Sequence, residues 1–187
     1  MEDKARTGEL ERSLLAQLDS AYNLARWLTR DDHDAEDLVQ NAYVRAFRFR
    51  DGFRGDDARN WILTIVRHTF YTQLRNNKQQ AGELEFDENL LPEAGLHESE
   101  SSYAIGNDPA QILETQNTSI NINIALDTLP TAFREILVMK EMDDLSYKDI
   151  AQIADIPLGT VMSRLARARK MLLDLLTQRG MGEKNGL

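Results

Sequence analysis

Apolar positions in the first 80 residues recur at helical spacing. Leu10, Leu14, Leu18, Ala21, Ala25 and Leu28 fall three or four apart, on one stripe of a helix. The polar stretch Thr29–His33 breaks the stripe, and Asp34 is a residue type that caps a new helix. Ala35, Leu38, Val39, Ala42, Tyr43, Ala46 and Phe47 then predict a second amphipathic helix. Asp51-Gly52 and Gly55-Asp56 bracket a loop carrying Phe53 and Arg54. A third helix follows, with Trp61, Ile62, Ile65, Val66, Thr69 and Leu74 inward and Arg59, Arg67, Arg75 and Lys78 at its edges.

The periodicity dissolves over residues 81–118. Gly82, Pro92, Gly95, Gly106 and Pro109, among acids and serines, predict an extended linker. Helical patterns return at about 119–128, 131–141, 147–154 and 158–177, with Pro130 between the first pair. No strand-like alternation stands out. The expected fold is all-α, with two small helical domains (1–80 and 119–187) joined by a flexible acidic linker (81–118).

The segment from Ser146 to Lys170 is the most specific. Ser146 and Asp149 form a capping box, so a helix should begin at Tyr147, with Ile150, Ala151 and Ala154 on its apolar face. Pro157 stands where a new helix can begin without an unsatisfied N–H. In that second helix Val161, Leu165, Ala168 and Leu172 form a buried stripe, and Thr160, Ser163, Arg164 and Arg167 face out. A short bracing helix and a second one bearing hydroxyls and guanidinia suit the DNA major groove. Helix-turn-helix patterns also occur in ordinary bundles, but here Arg164, Arg167, Arg169 and Lys170 lie close together on it.

A net charge of −9 changes little once it is mapped. Residues 1–80 hold 13 acidic and 13 basic side chains, residues 121–187 hold 9 of each, and residues 81–120 hold 9 acids and no Lys or Arg. Two neutral blocks thus flank an anionic strip, and basic residues can still gather on one face of either block. With no cysteine and three scattered histidines (His33, His68, His97), neither a disulfide nor a metal site is expected. No catalytic triad or phosphate-binding glycine loop stands out, so neither an enzyme nor a cofactor is expected. No apolar run approaches the roughly 20 residues of a membrane span, and a charged N-terminus predicts a cytoplasmic chain.

Together these segments resemble bacterial sigma factors of the extracytoplasmic-function type, the smallest members of the sigma-70 family. Asp34 to Phe47 is similar to that family's helix for docking on core RNA polymerase. Phe53 to Arg67 resembles its −10 recognition segment, and Leu126 to Leu137 with the helix-turn-helix resembles its −35 domain. The resemblance implies core-polymerase contacts at Asp37, Leu38, Gln40 and Asn41. It implies −10 contacts at Phe53, Arg54, Arg59, Arg67 and His68. For the −35 element it implies Gly159, Thr160, Met162, Ser163, Ala166 and Arg167, with Arg164 and Lys170 at phosphates. Implied partners are core RNA polymerase, promoter DNA and an anti-sigma protein. The linker acids could then occupy a basic RNA channel, or could serve only as a solvated tether.

Some positions depart from the family pattern. Thr72, His68, Met162 and Ala166 replace residues more usual there, and the last three bear on which promoter is read. Trp61, Tyr43 and Phe47 lie on apolar stripes, where packing explains them; Phe53, between two glycines, fits packing and base capture equally. Two other functions remain open from sequence: a sigma-like decoy that sequesters an anti-sigma protein, and a stand-alone helix-turn-helix repressor. Co-purification with core polymerase separates a sigma factor from a repressor.

Overall fold

The computed structural model describes residues 2–53, 57–80 and 121–184, and all regular structure among them is helical. The long first stripe divides into α1 (Glu2–Leu15) and α2 (Leu18–Thr29), because the chain turns at Ala16 and Gln17. Leu14 reaches the core, whereas Leu18 stays 45% exposed, so the stripe is not continuous. α2 closes on Arg30, in the left-handed region at φ 64°. Asp31 then runs extended, and its carboxylate accepts the Asp34 N–H at 3.0 Å. Asp31, rather than Asp34, therefore caps α3 (Asp32–Arg48). A cap residue must be non-helical, and Asp34 already lies within the first turn.

α3 buries Ala35, Leu38, Val39, Ala42, Tyr43 and Ala46. The Tyr43 hydroxyl donates to the Leu14 carbonyl at 2.8 Å, tying α3 to the end of α1. Burial, aided by the nearby Asp19 charge, pushes that hydroxyl up to about 12. A 3-10 turn at Arg50–Gly52 leads to Phe53, whose ring packs on Trp61 with centroids 5.0 Å apart. Asp57 accepts the Asn60 N–H at 3.0 Å at the start of α4 (Ala58–Gln80). Ile62 and Val66 are fully buried as expected, but so is Leu63, which lies off the predicted stripe. The reason is a second neighbour: α2 and α3 pack on α4, and so does the helix Tyr147–Ala154 of the C-terminal block.

That block comprises α5 (121–128), α6 (Thr131–Glu141), α7 (Tyr147–Ala154) and α8 (Leu158–Lys184). The Ser146 hydroxyl accepts the Asp149 N–H at 3.1 Å and donates to the Asp149 carboxylate at 2.5 Å, so the capping box forms and α7 starts at Tyr147. Asp155, left-handed at φ 53°, ends α7, and the Pro157 carbonyl accepts the N–H groups of Thr160 and Val161 to start α8. Ile150, Ile153, Ala154, Val161, Leu165 and Ala168 are buried where the two helices meet. One apolar cluster includes side chains of both blocks, from Leu14 to Ala168. The acidic linker, 81–118, lies outside the described residues, as does Arg54. No described helix is long and apolar enough to cross a membrane.

Candidate nucleic-acid interface

The outer face of α8 follows from its period. With Val161, Leu165 and Ala168 turned inward, Gly159, Met162, Ser163, Ala166, Arg167 and Lys170 are exposed. Thr160 and Arg164 are half-buried. Arg164 lies close enough to the buried Glu135 to act on its carboxyl, so it stands at the margin of the face. Ser163 donates its hydroxyl to the Thr160 carbonyl at 3.0 Å. Arg169 grips Glu141 through Nε at 3.0 Å and Nη2 at 2.6 Å, bracing α8 against α6 and drawing that guanidinium off the outer face.

Of the candidate −10 residues on α4, Arg59 and Arg67 are engaged by the chain's own C-terminal block. Arg67 forms a two-pronged contact with Glu135, Nε to Oε2 at 3.0 Å and Nη2 to Oε1 at 3.2 Å, and lies 4.6 Å from the Tyr71 ring centre. Arg59 donates to the Asp143 carbonyl at 2.7 Å and to its carboxylate at 3.3 Å. Asn60 donates to the Asp149 carboxylate at 2.8 Å. Phe53 is half-buried against Trp61, and His68 is exposed. Two of the candidates are thus engaged, one is packed and one is open.

Two further arginines join the blocks through helix ends. Arg134 is wholly buried and donates to the carbonyls of Trp27 at 2.5 Å, Leu129 at 3.0 Å and Asp127 at 3.1 Å. Its cation therefore meets the negative C-terminal ends of α2 and α5. Burial, reinforced by Arg30, lowers it to about 9. Arg30 itself donates to the Leu129 carbonyl at 3.3 Å.

The exposed face of α3 carries Asp37, Gln40 and Asn41. Leu38 does not belong to it, being 1% exposed and part of the core. Its place on the inward stripe with Ala35 and Ala42 decides this. Val44, 58% exposed, extends the outer face one turn further, and sequence reasoning missed it. The signal was available, since an apolar residue off the buried stripe must lie outside.

The interface acids imply an unusual pH response. Burial raises the carboxyls of Glu135, Asp143 and Asp127, opposed by Arg67 at the first, Arg59 at the second and Arg134 at the third. A carboxyl raised in the folded state favours folding below its unfolded value, and that contribution is lost as pH rises through the folded value. The unfolding midpoint should therefore rise, or hold, as pH falls from neutrality toward the ordinary carboxylate range. Further acid protonates Asp31, Asp144 and Asp149, held low by the Asp34 N–H, Lys140 and Ser146 respectively, and stability then drops. Scanning calorimetry across that range checks this; a steady fall from neutral pH contradicts it.

Comparison with known proteins accounts for both blocks. The Sigma-70 region 2 family matches residues 15–80, and the Sigma-70 region 4 family matches residues 121–172. The ECF RNA polymerase sigma factor SigE of Mycolicibacterium smegmatis is 30% identical over 176 residues, covering 94% of this chain and 65% of that protein's length. The ECF RNA polymerase sigma-E factor of Escherichia coli is 31% identical over 140 residues, 74% of this chain and 72% of that protein. Among solved structures, the Bartonella quintana sigma factor RpoE, in complex with the anti-sigma factor NepR, aligns with a TM-score of 0.67 and 28% identity over 90% of this chain and 97% of that one. The region 2 and region 4 matches first define the class, a sigma-70-type transcription factor. The chain belongs to the sigma-70 family, in its extracytoplasmic-function branch.

Proposed function

We propose that this chain binds core RNA polymerase and directs promoter-specific initiation by reading −10 and −35 elements. The observation that carries the reading is the capped α7, its tight turn, and α8 presenting Ser163, Arg167 and Lys170 outward. Asp37, Gln40 and Asn41, joined by Val44, would dock on the polymerase. Phe53, Arg54, Arg59, Arg67 and His68 would serve the −10 strand, where a melted base stacked on an aromatic ring gains roughly 1–3 kcal/mol. Gly159, Thr160, Met162, Ser163, Ala166 and Arg167 would face −35 bases, with Arg164 and Lys170 at phosphates. The chain would act in the cytoplasm, as a regulator rather than a catalyst. Run-off transcription with core polymerase tests the function; no promoter-dependent transcript from any genomic fragment would remove it.

Arg59 and Arg67 cannot meet a DNA strand while Asp143 and Glu135 hold them. Initiation on this reading requires the two blocks to part. The Bartonella relative was solved with an anti-sigma protein bound, and a protein of that kind would keep this chain closed.

On α8, Arg167 should discriminate bases and Lys170 should not. A two-pronged Arg–guanine contact discriminates by about 1–3 kcal/mol, whereas a phosphate contact acts on all sequences alike. Arg167→Ala should flatten preference at one −35 position. Lys170→Ala should lower affinity evenly and reduce the salt slope by about one. Binding titrations against single-base promoter variants at several salt concentrations separate the two; equal, sequence-independent losses would make Arg167 a phosphate contact.

A further inference from the structure

Most apolar side chains of α8 are turned into the core, but three near its start are not. Leu158 is 49% exposed, Met162 is 53% exposed, and Ala166 is exposed as well. At roughly 100° per residue they form one ridge, spaced i, i+4, i+8. Ser163 and Lys170 lie along the middle of the outward face, and Thr160 and Arg167 lie on its far side. No acid occurs between Leu158 and Leu173, so the face is cationic as well as partly apolar. A Cβ placed on Gly159 would meet nothing within 4 Å, so this side of the first turn of α8 is open among the described residues.

Exposed apolar side chains on a DNA-facing helix need an apolar counterpart. Base edges in the major groove offer one methyl group, the C5-methyl of thymine; the guanine, adenine and cytosine edges there are dominated by donors and acceptors. Against guanine or cytosine the ridge would cover donors and acceptors without pairing them, which is unfavourable. The cationic surroundings favour a polyanion over an apolar peptide as the occupant.

We propose that Leu158, Met162 and Ala166 form a thymine-methyl reader, with Met162 at its centre, so that the −35 element recognised by this chain carries thymines along that ridge. The inference rests on the sigma-factor reading and adds which bases are chosen. Arg167 reads hydrogen-bonding edges on one side of the helix, while the ridge reads methyl groups on the other.

The test uses holoenzyme assembled from core polymerase and the full chain. Duplexes randomised across the −35 element are selected for binding, and each selected thymine is then replaced by deoxyuridine, which removes only the methyl group. The selected duplexes should carry thymines, and deoxyuridine at a contacted position should weaken binding about fourfold, or ~0.8 kcal/mol per methyl. Met162→Gln, similar in length but polar, should lose the distinction between thymine and deoxyuridine, and Met162→Leu should keep it. Met162 is exposed, so neither change disturbs the core. Equal binding of thymine and deoxyuridine duplexes by the parent protein, or selection of G·C pairs throughout, overturns the proposal. A chain that selects a duplex but ignores the methyl removes only this inference; one that neither assembles with core polymerase nor selects any duplex removes the sigma-factor reading with it.

Discussion

Arg67→Ala should cost about 3–5 kcal/mol, because it strips the buried Glu135 of its two-pronged partner and leaves only the weaker influence of Arg164 and Tyr71. The Glu135 side chain is 0% exposed and that of Arg67 is 11% exposed, so water does little to screen the pair. Burial already raises the Glu135 carboxyl, and loss of the guanidinium would raise it further. The loss can appear in two ways. If the blocks remain together, the denaturant midpoint drops by the full amount. If they part, Glu135 reaches water and is relieved, so the midpoint moves less while the molecule expands. Chemical denaturation combined with small-angle scattering distinguishes these outcomes. Glu135→Gln provides the complementary case: it removes the buried charge, retains a hydrogen-bond acceptor for Arg67 and should be milder. An Arg67→Ala protein with unchanged midpoint and unchanged dimensions would show that the pair contributes nothing to closure.

Asp37→Arg with Gln40→Ala should abolish stable holoenzyme while leaving the fold intact. Both side chains are exposed on α3, away from the stripe that buries Leu38 and Ala42, so stability should shift by less than about 0.5 kcal/mol. Docking is different. Reversing a charge within an interface sets like charges together, and losing one partner of a desolvated charged contact costs about 2–5 kcal/mol. That corresponds to a drop in affinity of roughly 30- to several-thousand-fold. Titration of labelled core polymerase with the variant measures it. Unchanged assembly would move the polymerase contact off this face of α3.

The helices and most of their buried faces were legible because periodicity is a local signal. Ala35, Ala42, Val161 and Leu165 are buried as their spacing required. The break between α1 and α2 was hidden, since neither Ala16 nor Gln17 is a residue that stops helices. The α3 cap was misplaced by three positions because Asp31, Asp32 and Asp34 are all chemically able to cap; backbone conformation decided among them. Leu38 carried contradictory signals, core by spacing and docking by resemblance, and the spacing was right.

The contacts between the blocks could not be read from one chain of letters. Arg67 and Glu135 are 68 residues apart, and Arg59 and Asp143 are 84 apart. Two residues did hint at them. Leu63 is apolar on what looked like the polar side of α4, and Glu135 sets a charge directly before the apolar run Ile136 to Met139. Each makes sense only with the other block in place.

If the side of α4 that bears Arg59 and Arg67 serves the −10 strand as proposed, as well as the acids of the C-terminal block, selection cannot act on either role alone. On that reading a mutation that adds positive charge there would strengthen the grip on promoter DNA and the grip on Glu135 or Asp143 together. A lineage seeking a more active factor would gain little by that route. Its productive changes would lie on the acidic partners, where replacing Asp143 or Glu135 would weaken closure and leave the proposed DNA contact as it was. Variation among descendants of this chain should therefore accumulate on the α6 and α7 side of the seam, with the arginines of α4 held fixed.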